Sequence, residues 1–408
     1  MNKALLPIFL VIVVDILGMA IMFPLLPFYT EFLGGTPGQI GLLISTFAVC
    51  QLIGGPLLGR LSDRMGRKPL LLLSQVGTLI GFVFLAWATS LWMVFLSRII
   101  DGFTAGNISL AQAYITDITK PEERTKSFAV IGIAFGVGFL IGPAISGFLV
   151  QFGYRVPIFA AMGLSAGSIL ATTFLLPRSP RHTHAAGPHR MTLFDWKTYV
   201  EYLRRPVLGS LMWQFLAFIF AFSTFMSGFA LYAERRFVWD GHAFGTREVG
   251  YVYAYVGMLG IVLQGGLMGR AVRIFGDRGL VRWGFLLATA GFALLGWTYG
   301  IPMLLFAAAM TSVSTGALRP ALTSLISQEA GSHEQGGVLG LTQSLQSVAS
   351  IVAPMVAGFL IEHGKLEAWA LVAAVSTLIG LILTMRQGPR VKPDEAPDLV
   401  DASPGRKG

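Results

Sequence analysis

Apolar residues run along this chain in long blocks. They do not follow the period of two that marks a half-buried strand, or the one-sided stripe of a surface helix. The blocks fall at 5–29, 38–58, 70–89, 91–118, 125–150, 156–176, 207–233, 247–270, 279–299, 301–327, 335–361 and 366–387, with short polar gaps between them. A helix crossing the hydrocarbon core of a bilayer needs about 20 apolar residues. Only helices and closed barrels satisfy their own backbone there. The pattern therefore predicts an all-α polytopic membrane protein with twelve transmembrane helices. The first block follows Met1-Asn2-Lys3 and continues to Phe28, too long for a signal-peptide core and with no small-residue cleavage site after it. It is expected to be the first span, retained in the protein.

One gap is longer than the rest. Residues 177–206 carry Pro177, Pro180 and Pro188 and divide six blocks from six. The expected organisation is a six-helix bundle over 1–176, a cytoplasmic linker over 177–206 with a short amphipathic piece around Met191–Leu203, a second bundle over 207–387, and a disordered cytoplasmic tail over 388–408. His182, His184 and His189 lie in the linker without an acid or cysteine at ligand spacing, so they read as solvated side chains and no metal site is expected. The two halves repeat each other. A shift of 210 places Gly59-Arg60 on Gly269-Arg270, Gly66 on Gly276, Leu70 on Leu280 and Gly106 on Gly316. A shift of 211 places Pro143 on Pro354 and Gly147-Phe148-Leu149 on Gly358-Phe359-Leu360. Such repeats predict two pseudo-symmetric bundles with a substrate site between them.

Composition sharpens this. Of 408 residues 54% are apolar and 12% charged, against roughly a quarter charged in soluble domains. Soluble domains, disorder and disulfide scaffolds are thereby excluded. The lone cysteine is Cys50. The net charge of +9 reads as topology, not as nucleic-acid binding. With both termini in the cytoplasm, 23 Lys and Arg fall on the cytoplasmic side and 5 outside, with Arg98 and Arg319 inside blocks. That is a strong positive-inside bias.

A charge at the bilayer centre costs at least about 2.5–3.5 kcal/mol on insertion scales and marks function by default. Asp15 lies about 15 Å into the first block at 1.5 Å per residue. Asp101 reaches a similar depth in the fourth, and Arg98 shares its face as an i, i+3 partner. Arg98 and Asp101 read either as a static pair or as part of a proton site in which Asp15 or Asp101 exchanges the proton and Arg98 biases it. Arg319, before Pro320, reads either as a snorkelling arginine or as a substrate contact. Between the second and third blocks, Gly59 and Gly66 permit close approach and a tight turn. Asp63 is placed there to meet the positive N-terminal end of a helix.

The segment Gly59-Arg60-Leu61-Ser62-Asp63-Arg64-Met65-Gly66-Arg67-Lys68-Pro69 resembles the loop signature of the major facilitator superfamily. Arg98-Ile99-Ile100-Asp101-Gly102 resembles its second signature. Gly132, Gly136, Gly138, Gly142-Pro143 and Gly147 resemble its glycine-rich antiporter motif, with Ser146 where glycine is usual. Asp15 and Phe237-Val238-Trp239-Asp240 resemble the tetracycline-efflux branch of drug:proton antiporters. The third and ninth blocks depart from that branch in carrying no acid, and Gly260 stands where a histidine is often found. The resemblance implies alternating access, proton coupling, and a cytoplasmic gate at Gly59, Asp63, Arg64, Gly66 and Arg67 with an Arg67–Asp117 bridge. On residues alone, the glycines also read as close helix packing.

Cavity candidates are Gln51, Asn107, Gln112, Gln214, Phe218, Phe225, Tyr255, Gln264, Gln343 and Gln346, since aromatic walls with few polar groups suit amphipathic molecules. No nucleotide loop, metalloprotease helix or nucleophile elbow is present. No enzyme and no cofactor are expected. The expected function is proton-coupled efflux of a hydrophobic or amphipathic small molecule, with a tetracycline-like drug as one case. The expected partners are that molecule, protons and membrane lipid, acting on a monomer in the bacterial inner membrane. The rivals are a proton symporter importing a polar metabolite and a non-transporting membrane sensor or assembly factor.

Overall fold

The computed structural model describes residues 5–119, 124–177, 196–330 and 334–386. The linker histidines, the first residues of the expected amphipathic piece and the tail lie outside them. The described chain is helical except for one two-stranded hairpin: α1 Leu5–Phe32, α2 Pro37–Met65, α3 Arg67–Ala86, α4 Leu91–Thr104, α5 Asn107–Ile118, α6 Arg124–Leu149 and α7 Arg155–Leu175 in the first half. Then come α8 Trp196–Arg204, α9 Pro206–Arg236, the strands β1 Val238–Trp239 and β2 His242–Ala243, and α10 Thr246–Val262. The remainder is α11 Met268–Gly296, α12 Ile301–Glu329, α13 Gln335–Glu362 and α14 Leu366–Arg386. Among the described residues ten helices are long and apolar enough to cross a membrane. The other two apolar blocks, 91–118 and 247–270, are helical but interrupted.

Both interruptions have local causes. At Ala105–Gly106 the fourth block breaks into α4 and α5, correcting the single helix expected there. Ser74 of α3 inserts into the break: its hydroxyl bonds the Thr104 carbonyl and accepts from Gly106 N at 3.0 Å. The freed backbone groups are thus satisfied, as a kink requires. In the eighth block α10 passes through a π turn, Leu263–Leu267, into α11. Within α11 the helix is broken at Gly276, whose backbone is non-helical, and resumes into the ninth block.

Caps set other boundaries. Thr36 and Gln39 form a capping box with Pro37 at the first helical position of α2. The hairpin turns on Asp240-Gly241, both at positive φ (48° and 82°), the conformation its tight turn demands. It marks one end of the molecule, the hairpin end. The opposite end, rich in Lys and Arg, holds the α2–α3 turn and α8 and is the basic end.

The repeat seen in sequence is a repeat in space. Gly66 and Gly276 adopt matching left-handed conformations, φ 98°, ψ 156° and φ 66°, ψ 168°. Tyr29 donates to the Leu85 carbonyl, and Tyr232 to that of Leu295, 210 residues on from Leu85. The halves meet at two reciprocal seams. At one, Gly41 of α2 lies against Pro354 and Gly358 of α13; at the other, Gly250 of α10 lies against Pro143 and Gly147 of α6. A side chain at any of these glycines would strike backbone.

Candidate functional site

Asp15 projects from α1 toward α3 and α7. Gln75 Nε2 donates to Ser168 Oγ at 2.7 Å and lies 3.4 Å from Asp15 Oδ2, and Ser168 also bonds the carboxyl. Gln75, Ser168 and the neighbouring Thr172 are fully buried. Gln75 Oε1 and Thr172 Oγ1 have no partner among the described residues, so this node keeps unused hydrogen-bonding capacity inside the half. Sequence reasoning found the acid and missed Gln75 and Ser168. They are uncharged, and their link to Asp15 exists only through the packing of α1, α3 and α7.

Arg98 and Asp101 are both buried and form an i, i+3 ion pair of 3.2 Å. Asp101 packs on α3: it bonds Thr78, and a Cβ at Gly81 would sit 3.1 Å from its own. Arg98 Nη2 has no partner among the described residues. Arg98 thus serves Asp101, and no direct contact of Arg98 with Asp15 is seen among the described residues. The two acids meet α3 at different residues, Asp15 at Gln75 and Asp101 at Thr78 and Gly81.

The expected α2–α3 loop is a joint of one residue. Helix α2 reaches Met65 and α3 begins at Arg67, so Asp63 and Arg64 are helical and Gly66 alone turns the chain. This corrects the loop expectation; the positive φ of Gly66 lets the two helices abut. Arg67 gathers the surrounding polar groups. It bridges Asp117 at 2.9 Å and Asp63 at 2.6 Å and donates to Ser62 Oγ at 2.6 Å. Asp63, in the last turn of α2, remains largely exposed and reaches α3 through Arg67, without a side-chain cap on the N-terminus of α3. Gly59 faces open space.

The glycines of α6 divide by level. A Cβ at Gly147 would strike Arg247, one at Gly142 would strike Ala20 of α1, and one at Gly138 would strike Ile16. Gly136 sits near Ile261 of α10, whereas Gly132 has nothing close. The same gradient runs along α2. Gly41 and Ser45 touch α13, Ser45 donating to the Ile351 carbonyl at 2.6 Å, while Gly55 and Gly59 on the same stripe face open space. Across the halves Arg235 of α9 bridges Glu31 of α1 at 2.6 Å near the hairpin end. Among the described residues the halves are therefore in contact at the hairpin end and apart at the basic end.

Three cavity candidates are elsewhere. Phe218 and Phe225 are core residues, 2% and 3% exposed; Phe218 stacks on Phe222, and Phe225 joins the aromatic cluster that α9 buries with Phe229, Tyr253, Phe292 and Trp369. Gln214, 1% exposed, turns inward to Ser210 and a small recess with Arg282 and Thr384. A phenylalanine stripe reads equally as wall or core, and burial of area decides for core. Gln51, Gln112 and Gln343 are exposed, Asn107, Tyr255 and Gln346 half-buried. The side chain of Gln264 lies outside the described set.

A sequence profile of the Major Facilitator Superfamily matches residues 8–273 and 265–405. The chain belongs to the major facilitator superfamily. It is a membrane transporter and not an enzyme. The chain is 30% identical over 382 residues to the class E tetracycline resistance protein of Escherichia coli, covering 90% of each chain. It is 25% identical over 391 residues to the quinolone resistance protein NorA of Staphylococcus aureus, covering 94% of this chain and 96% of that protein. In fold it is similar to the nucleoside transporter NupG, with a TM-score of 0.75 at 15% identity over 95% of this chain and all of that one.

Proposed function

We propose that this transporter exports an amphipathic drug-like molecule, tetracyclines among them, in exchange for protons. The basic end faces the cytoplasm, both termini lie there, and the protein works as a monomer in a bacterial inner membrane. The observation that carries the reading is the combination of one closed and one open end with acids buried inside the first half. Drug enters the cleft from the cytoplasm, and the seams at Gly41–Gly358 and Gly147–Gly250 hold the far side shut meanwhile. Asp15 carries the exchanged proton; its carboxyl faces neutral groups only, so protonation changes its bonding most. The Arg98–Asp101 pair holds α3 and α4 in register. Arg67, Asp63 and Asp117 tie the helices that must close the cytoplasmic side. Proton binding drives the cycle because only differential affinity between two states shifts their populations.

Relatives named for tetracycline and quinolone resistance support the choice of substrate class. The test is drug-dependent proton movement in everted vesicles carrying a proton-sensitive dye, paired with a susceptibility panel in an efflux-deficient bacterium. Tetracycline should release protons from the energised vesicle interior and raise the inhibitory concentration severalfold. Proton movement that no drug in the panel evokes would overturn the reading.

A further inference from the structure

Arg319 is the one charged residue of α12 before its last position. It lies ten residues before Glu329, which at 1.5 Å per residue is about 15 Å from the basic end of the helix. Helical side chains lean toward the helix N-terminus. Because α12 starts at the hairpin end, the Cα–Cβ bond of Arg319 points toward the middle of the molecule, and its guanidinium meets Gln346 of α13. The stripe of α12 that bears Arg319 carries Ser312 and Gly316 above it. Ser312 donates to the Val256 carbonyl of α10 at 2.8 Å, and a Cβ at Gly316 would lie 2.9 Å from Leu263. One turn further on Arg319 is exposed.

The guanidinium has five N–H donors. Among the described residues it makes one side-chain hydrogen bond, a long one of 3.4 Å to Gln346 Oε1 of α13. Gln346 is eleven residues from Gln335 at the start of α13, about 17 Å from the same end, so the two side chains share a level. No carboxylate lies within ion-pair distance of Arg319 among the described residues. The fold itself needs no charge there, since the residue 210 positions earlier is Ser109. An exposed guanidinium at this depth, with Gln346 beside it and no carboxylate within ion-pair distance among the described residues, is the complement of an oxyanion.

We propose that Arg319, assisted by Gln346, is an anion subsite of the transport cleft, and that the substrates carry an acidic oxygen, an enolate or a carboxylate, on an apolar body. The inference rests on the export reading only for the direction of travel. When substrate arrives, the long bond to Gln346 yields to a charge-assisted pair, and the amide donates to the substrate instead.

The test uses purified protein in lipid nanodiscs, with radiolabelled tetracycline as ligand and 2-naphthoate or 2-naphthamide as competitor. The two competitors differ only in their acid. In the wild type, naphthoate should displace tetracycline at a concentration at least tenfold below that of naphthamide. Arg319→Gln should weaken tetracycline binding at least tenfold and abolish the preference, while Arg319→Lys keeps part of it. Equal displacement by the two competitors in the wild type overturns the subsite, and this result does not depend on any variant folding. Unchanged tetracycline binding by Arg319→Gln overturns it too. Intact preference without drug uptake by everted vesicles leaves the subsite standing and sinks the export reading.

Discussion

The two halves share a backbone plan and divide the chemistry. Where the first half buries Arg98 and Asp101, the positions 210 residues on are Ala308 and Thr311. The packing is otherwise the same. A Cβ at Gly81 would press Asp101 and the Ser97 carbonyl; one at Gly291 would press Thr311 and the Ala307 carbonyl. Ser74, which opens the break between α4 and α5, has Gly284 as its counterpart, and there α12 runs on unbroken with Leu318 filling the space. Asp15 on α1 meets Gln75 and Ser168, whereas the position 210 residues on from Gln75 is Phe285, and the buried amide of the second half, Gln214, lies at a different level, in a recess with Arg282 and Thr384. Where the first half places acids, the second places rings: Phe225, Phe229, Tyr232, Phe292 and Trp369. The fold asks for the glycines, prolines and tyrosine caps in both halves. What differs between equivalent positions is what the backbone did not require, and that is where function is to be sought.

The largest effect should separate the two polar nodes. Asp15→Asn should abolish gradient-driven efflux in everted vesicles while leaving drug binding within a few-fold, and Gln214→Asn should leave efflux nearly intact. Equal loss in both would break the division of labour. Next comes the ion pair. Asp101→Asn leaves a buried guanidinium unpaired, and losing one partner of such a pair costs about 3–5 kcal/mol. Melting in detergent should fall accordingly. The double change Arg98→Gln with Asp101→Asn should regain much of that stability without regaining transport. If the double variant melts as low as the single, the pair is not what the charge is for.

A third comparison sets seam against seam. Gly147→Leu and Gly358→Leu should each cut transport at least tenfold, because overpacking by about 1–3 kcal/mol weighs against the closed hairpin end. Protein yield should suffer less than transport. Loss confined to Gly147→Leu would give the α6 motif a role beyond packing. The smallest effects belong to exposed ties. Asp63→Asn and Glu31→Gln remove one arm each from Arg67 and Arg235. Surface pairs contribute about 0.2–1 kcal/mol, enough to shift a balanced two-state equilibrium by up to fivefold. Accessibility labelling of cysteines placed at each end should move in opposite directions for the two variants. A shift in the same direction would contradict their assignment to opposite gates.

Much of this was legible in residues. Block length specified the spans, and the 210-residue shift picked out pairs, such as Gly66 and Gly276, that prove equivalent in space. Acids in apolar blocks were conspicuous because charge there is costly. What was not legible depended on packing direction. Gln75 is one polar residue within Leu70-Leu71-Leu72-Leu73-Ser74-Gln75-Val76-Gly77, and no spacing tells that it faces an acid 60 residues away. Phe218 and Phe225, which read from sequence as cavity wall or, more readily, as packing on neighbours, lie in the core, because helical spacing says which side chains share a face and not what that face meets. The break at Ala105 was hidden because its cause, Ser74, lies on another helix.

The joint at Gly66 has a mechanical consequence. One residue gives no slack, so α2 cannot tilt without dragging α3. The outer part of α2 is held by α13 through Gly41 and Ser45, and the interior of α3 presents Gln75 to Asp15 and both Thr78 and Gly81 to Asp101. Any rocking of one half against the other is thereby transmitted, like a crank through a stiff elbow, to the surroundings of both acids. The two acids do not touch the seam, yet they cannot be indifferent to it.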